Sequence, residues 1–215
     1  MVVYKEIIYY TDNEIDDHIA KLCKDSLSKS GLNIVSSSLK PMKFGSNKVM
    51  DRKRGYLTLF MQIVDCLERS EAEYVFFCEH DVIYSKEHFD FKPTKKDVYY
   101  YNNNVWKWNG EKAVSYDSRW LSQLCCSREL ALQHYRKKVE LERQGIKKRF
   151  EPATKRGIDN YKSEIWESEI PNVDIRHGKN LTGVSRFKVE DFRSKPKNFK
   201  ELNYIPHYGT INLDS

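Results

Sequence analysis

The sequence predicts a single α/β domain built on a mainly parallel sheet flanked by helices. Two observations lead there. Strand and helix signals alternate over the first third of the chain, the order expected of parallel strands joined by crossovers. The apolar run Tyr74–Cys78 (YVFFC) has no helical repeat and reads as a buried central strand. With 215 residues, 40% of them hydrophobic and 13% aromatic, the chain can bury one sizeable core. No internal repeat or low-complexity linker divides it, so residues 1–215 read as one domain.

The elements follow in order. Glu6–Tyr10 (EIIYY) is a β-rich run that stops at Thr11-Asp12-Asn13. Ile15, Ile19, Leu22 and Cys23 recur at helical spacing, with Thr11 or Asn13 available as the cap. Gly31 closes that helix and Asn33–Val35 begins the next strand. A polar, basic stretch broken by Pro41, Gly45 and Gly55 leads to a second helix with Leu57, Phe60, Val64 and Leu67 on one face. After the Tyr74–Cys78 strand, Asp97–Tyr101 (DVYYY) reads as another, followed by a polar aromatic loop, NNNVWKWNG. In that loop Trp106 and Trp108 can stack on a ring or cover the core edge. A long helix is expected from Trp120 to about Arg143, and Gln144–Tyr161 reads as a loop or extended excursion.

Composition narrows the partners. Lysine and arginine number 37 against 31 acidic residues, a net charge of +6 that favours anions without choosing among them. The basic residues cluster. Lys40–Arg54 holds six against one acidic residue, Arg136–Arg156 nine against three, and Arg186–Lys200 six against two. The five cysteines, an odd number in largely apolar surroundings, read as buried thiols of a reducing compartment. Cys125 and Cys126 are adjacent, which does not match the two-to-four-residue spacing of a zinc-ligand pair. The apolar runs are too short to span a bilayer, and MVVYKEIIYY lacks the basic region and cleavage site of a secretory leader. A cytoplasmic location is therefore expected.

Right-handed crossovers put the carboxyl ends of parallel strands along one edge, where ligands of such sheets bind. Asp12 and the triplet Glu79-His80-Asp81 both fall there. Strand alternation would turn Glu79 and Asp81 to one side and His80 to the other. Two neighbouring carboxylates repel unless a proton, a basic group or a divalent cation offsets their charge. Mg²⁺ or Mn²⁺ can use such carboxylates while its remaining positions take phosphate oxygens. Lys48, Arg52, Lys53, Arg54, Arg176 and Lys179 are the candidate counterweights to phosphate. Arg52 and Arg54 also precede a helix start, where free backbone N–H groups favour an anion.

With its acidic strand end FFCEHDVIY, the chain resembles a small glycosyltransferase of the GT-A type over residues 5 to 105, and more loosely beyond. The resemblance implies a Rossmann-like sheet whose DxD motif holds a nucleotide-sugar donor, a UDP-sugar favoured, through Mn²⁺ or Mg²⁺. Here Glu79, His80 and Asp81 occupy that motif, with Glu in place of the first Asp, so Asp81 is the safer ligand. The first strand and its turn, IIYYTDN, would contact base or ribose, which makes Thr11 and Asp12 candidates. The family often adds a metal-binding histidine from the C-terminal part, with His177 the first choice here and His207 the second. Residues 1–105 would then bind the nucleotide-sugar and residues 106–215 the acceptor.

An inverting transfer needs a carboxylate to take the acceptor proton. Glu151, set by Pro152, is a candidate catalytic residue beside Asp81, with Asp117, Asp159 and Glu164 in competition; a retaining enzyme needs none. Three basic segments exceed what one diphosphate requires. The chain also resembles enzymes that glycosylate hydroxylated bases of bacteriophage DNA, so modified double-stranded DNA is one acceptor and a polysaccharide or lipid-linked glycan another. A phage-encoded enzyme of that kind would work in the host cytoplasm. A nucleotidyltransferase and a non-catalytic nucleic-acid-binding module stay open, although no glycine precedes Gly31 to form a phosphate loop after the first strand.

Overall fold

The structure, a computed structural model, describes residues 3–149, 151–154, 158–181 and 186–213. Strand β1 (Lys5–Thr11), helix α1 (Asp17–Ser28), β2 (Asn33–Ser38), β3 (Ser46–Val49), α2 (Tyr56–Arg69) and β4 (Tyr74–Glu79) form the first part. There follow β5 (Val82–Ile83), α3 (Lys86–Asp90), β6 (Val98–Asn102), β7 (Val105–Trp108), β8 (Ala113–Ser115) and β9 (Leu124–Ser127). Helix α4 (Arg128–Arg143), β10 (Lys162–Trp166), β11 (Asn172–Ile175) and β12 (Lys200–Leu202) complete the order.

The main sheet runs β10-β6-β9-β4-β1-β2-β3. Its neighbours are parallel except β9, which lies antiparallel between β4 and β6. This is the mixed, mainly parallel α/β sheet that the sequence predicts. Alternation along β1 and β4 sorts the core onto two faces. Ile8, Tyr10, Val75 and Phe77 pack with Phe60 and Ile63 of α2 and Tyr135 of α4. Ile7, Tyr9, Phe76 and Cys78 pack with Leu27 of α1, Tyr84 and Phe89. Phe76 and Phe77 are fully buried on opposite faces, each worth about 1.5–3 kcal/mol by transfer from water.

A second sheet, β12-β8-β7-β11-β5, stands beside the first and was not foreseen. In it β11 is parallel to β7, and the other pairs are antiparallel. The predicted aromatic loop is strand β7 in this sheet. Trp106 and Trp108 belong to its core with Val173, Ile175 and Ile19, and Trp108 Nε1 donates to the Ile211 carbonyl. They are core residues rather than a stacking platform.

Two other expectations change. The helix predicted from Trp120 begins only at Arg128, because Leu124–Ser127 is claimed as a sheet strand between β4 and β6, and Ser127 Oγ caps the helix at Leu130 N. Helix α1 starts at Asp17 without a side-chain cap, because Thr11 and Asn13 are used in the preceding turn. All five cysteines are buried thiols. Of the described helices, none is long and apolar enough to cross a membrane.

Candidate functional site

The site is assembled from three chain segments at the carboxyl edge of β1 and β4. After β1, Thr11 Oγ1 accepts from Asn13 N and Asp12 Oδ1 from Glu14 N, both at 2.9 Å. Asn13 takes a left-handed φ of 60°, and its Oδ1 accepts from Leu39 N and Lys40 N at 2.8 Å each. One asparagine thus ties the turn after β1 to the turn after β2. Asn13→Ala removes the acceptor for two amides and puts a Cβ residue without a local partner at positive φ. A loss of about 2 kcal/mol in urea unfolding is expected.

The second segment is the end of β4. The strand stops at Glu79, and His80-Asp81 turn into β5. Alternation therefore fails at this point, and Glu79, His80 and Asp81 all line one cleft; the expectation that His80 faces away is corrected. Tyr10, paired with Glu79 across the ladder, donates its hydroxyl to Glu79 Oε1 at 3.2 Å. Burial, then the charges of Asp81 and Asp174, push the Glu79 carboxyl well above the usual range.

The third segment follows β11. His177 N donates to Asn180 Oδ1 at 2.9 Å, and Asn180 Nδ2 donates to Asp81 Oδ2 at 2.6 Å, so one side chain fixes both residues. His177 Nε2 lies 3.8 Å from Asp81 Oδ2. Burial depresses the His177 pKa against the pull of Asp81. His80, Asp81 and His177 can each present a ligand atom within 4.8 Å of the others. Asp81 is 7% exposed. Its Oδ1 and both ring nitrogens of His177 are buried without a hydrogen-bond partner among the described residues. Two imidazoles and a carboxylate with spare lone pairs fit a divalent ion.

Cations border this cluster. Arg54 Nε donates to Asp12 Oδ2 and its Nη2 to the Lys179 carbonyl, while Lys179 Nζ pairs with Asp16 at 2.6 Å. Burial opposes the charge of Asp12, but Arg54, the His80 ring and the Glu14 N–H outweigh it and hold the pKa below the ordinary value. Arg176 Nη1 lies 3.6 Å from Asp174 Oδ1, an ion pair too long for a hydrogen bond. Burial raises the Asp174 pKa, and Lys107 and Arg176 partly offset this. The cleft has a cavity volume of about 100 Å³ and is lined by Tyr10, Thr11, Asp12, Arg54, Gln62, Leu121 and Arg176 in addition to the triplet.

Of the sequence candidates, Thr11, Asp12, Arg54, Glu79, His80 and Asp81 line the cleft, and Arg52 and Lys179 line the adjoining hollow with Arg54. His177 faces Asp81 without itself lining the cleft, whereas Glu79 stands outside the group of three. His207 is exposed and also outside it. Lys48 is paired with Asp65. Glu151 is half-buried and does not line the cleft, yet its charge reaches Glu79, and burial raises its own pKa. The competing carboxylates are engaged: Asp117 by Asn103 and Asn198, Asp159 by His134 and Tyr99, Glu164 by Lys95. Lys155 and Arg156 of the second basic segment lie outside the described residues. Sequence reasoning missed Asn180, Asp174, Gln62 and Tyr10. The signal for Asn180 was the short run His177–Asn180, whose two ends close on each other.

No family model matches the sequence, and no curated protein matches it significantly. Solved structures give distant similarities. A glycosyltransferase involved in glycosylation of the major capsid of PBCV-1 aligns with a TM-score of 0.49 at 9% identity, over 84% of this chain and 94% of that one. A mutant Drosophila β1,4-galactosyltransferase 7 in complex with manganese, UDP-Gal and xylobiose gives 0.45 at 11%, over 90% and 81%. The bifunctional IspDF from Campylobacter jejuni gives 0.43 at 13%, over 77% of this chain; the chain spans about half the length of that enzyme. Each of these three TM-scores lies below 0.5, and none of the similarities assigns an activity to this chain.

Proposed function

We propose that the protein is a metal-dependent glycosyltransferase of the GT-A kind, moving a sugar from a nucleoside diphosphate sugar, a UDP-sugar by preference, to an acceptor hydroxyl. The observation that carries this reading is the buried Asp81–His177 pair. The pair converges with His80 at the carboxyl edge of the sheet, beside a cleft that Asp81 and His80 line together with Arg54 and Arg176. Asp81 and His177 would hold a divalent ion, which would supply positive charge to the diphosphate leaving group. The chain's own residues do the rest. Asn180 fixes the Asp81 carboxylate, and Arg54 and Arg176 offer guanidinium N–H groups to phosphate oxygens. Thr11 and Asp12 meet the nucleoside at the end of β1. In an inverting transfer the acceptor oxygen bonds to C1 of the sugar, the C1–O bond to the diphosphate breaks, and a carboxylate takes the acceptor proton; Glu151, outside the cleft lining but with its charge felt at Glu79, is the candidate for that role.

A hydroxylated base of double-stranded DNA is the acceptor we favour, on the charge of the three basic segments. Ion pairs engage Lys40, Lys48, Arg54, Arg136 and Lys137 in the first two, where Lys43, Arg52, Lys53, Arg143, Lys147 and Lys148 stand outside any ion pair among the described residues. Arg193, Lys195 and Lys197 are free of such pairs among the described residues and can meet phosphates.

The test is a panel of sugar nucleotides incubated with Mn²⁺ and read by mass spectrometry, with and without hydroxymethylated DNA. Release of nucleoside diphosphate, and sugar on the DNA that increases as salt is lowered, are expected. Release of pyrophosphate in place of nucleoside diphosphate would make the protein a nucleotidyltransferase. No release from any donor contradicts the transferase reading. Transfer to a glycan but not to DNA removes the acceptor assignment alone.

A further inference from the structure

We infer that His80 is a third protein ligand of the cation, and that its imidazole, with that of His177, makes the site select a transition ion such as Mn²⁺ over Mg²⁺. The inference rests on the metal site of the proposed function and goes beyond it. It specifies the ligand set and the ion, where the acidic motif alone points to its two carboxylates.

The backbone brings His80 to the site. Because β4 ends at Glu79, His80 lies in the turn to β5, and its ring stands edge-on to that of His177 with centroids 6.1 Å apart. Its Nδ1 is 2.6 Å from Thr11 Oγ1 and 3.5 Å from Asp12 Oδ1. Thr11 Oγ1 already accepts from Asn13 N; with the ring proton on Nδ1 donated to that hydroxyl, the Nε2 lone pair is left for the ion, and Asp12 adds its charge from beyond direct bonding distance. Asp12 is itself fixed by Arg54 and by the Glu14 amide, so the ring is held in place by an ordered outer layer.

Glu79 is not needed for this set. Its Oε1 accepts the Tyr10 hydroxyl, and it stands apart from the three residues whose ligand atoms converge. The resulting donors are two imidazole nitrogens and one carboxylate oxygen. Mg²⁺ takes oxygen ligands and gives up its water reluctantly, whereas imidazole suits the first-row transition ions. The outer layer also gives Thr11 and Asp12 a positioning role toward His80, apart from any contact they make with a nucleoside.

The experiment uses Mn²⁺ as its own probe. Pulsed electron paramagnetic resonance of the Mn²⁺-loaded protein with UDP is expected to show two directly bound histidine nitrogens. The two ¹⁴N couplings should be replaced when histidine is supplied as ¹⁵N, a measurement that needs no variant. His80→Gln should leave one nitrogen and weaken Mn²⁺ by at least about tenfold, with Mg²⁺ changed far less. Asp12→Asn should keep both nitrogens and weaken Mn²⁺ by about tenfold. A single nitrogen in the wild type, or equal affinities for Mn²⁺ and Mg²⁺, overturns the inference and leaves the transferase reading standing. Failure to bind Mn²⁺ even with UDP overturns both.

Discussion

Replacing Asp81 by alanine is expected to lower nucleoside diphosphate release by roughly a thousandfold. Asp81 joins several parts of the site: Asn180 donates to it, His177 faces it, and Ile175 N donates to its carbonyl. Its free Oδ1 is the buried lone pair that a cation would occupy. Losing a cation that faces a leaving diphosphate removes several kcal/mol of transition-state stabilisation, and each 1.4 kcal/mol is about tenfold in rate. The fold should survive, because the alanine keeps the backbone bond to Ile175 and relieves charge repulsion on Glu79. Donor hydrolysis and transfer, measured at saturating donor, check the rate. Thermal unfolding with UDP, with and without Mn²⁺, checks that the metal-dependent stabilisation present in the wild type is absent from the variant. A variant that keeps more than a tenth of the activity is incompatible with Asp81 as a ligand.

The second large effect is on Glu151. Glu151→Gln should reduce transfer about 10²- to 10⁴-fold and remove the acid limb of the pH–rate profile. Burial raises the Glu151 pKa above its ordinary 4.5, so wild-type activity rises with pH through that raised value as the base ionises. Stability runs the other way. A carboxyl whose pKa is higher in the folded than in the unfolded chain contributes stability below about pH 4.5, and this is lost as pH rises through the folded value. The glutamine carries no such dependence. Near pH 8 the variant should therefore unfold at higher urea than the wild type while being far less active. Activity within threefold of wild type, with the acid limb intact, would show that another group takes the proton.

Much of the main sheet was readable in the sequence because its strands obey one rule. β1 and β4 are buried on both faces, so each shows as an unbroken apolar run, and α2 shows a single apolar stripe. The second sheet was hidden for the opposite reason. β7 alternates tryptophan with Lys107, and β8 and β11 are three or four residues long, too short to show a period. Strand β9 was hidden because Leu124–Ser127 joins α4 without a break, so its residues read as the helix's first turn.

The candidate site was legible in part. Asp12 and the acidic triplet could be placed on one edge by topology alone, Arg54 was reached as a phosphate counterweight ahead of a helix start, and His177 through family resemblance. The orientation of His80 was not accessible, since it depends on the strand ending one residue earlier than alternation assumes. Asp174 and Asn180 depend on β11 docking beside β5, a pairing between segments about ninety residues apart that no local pattern encodes.

The account depends on a cation seated where His80, Asp81 and His177 converge. Crystals grown with Mn²⁺ and UDP, with diffraction recorded on either side of the manganese absorption edge, test this most directly. The account predicts one strong anomalous peak within bonding distance of Asp81 and His177, beside an ordered diphosphate. An ordered nucleotide in the cleft with no anomalous peak among those three residues would contradict it.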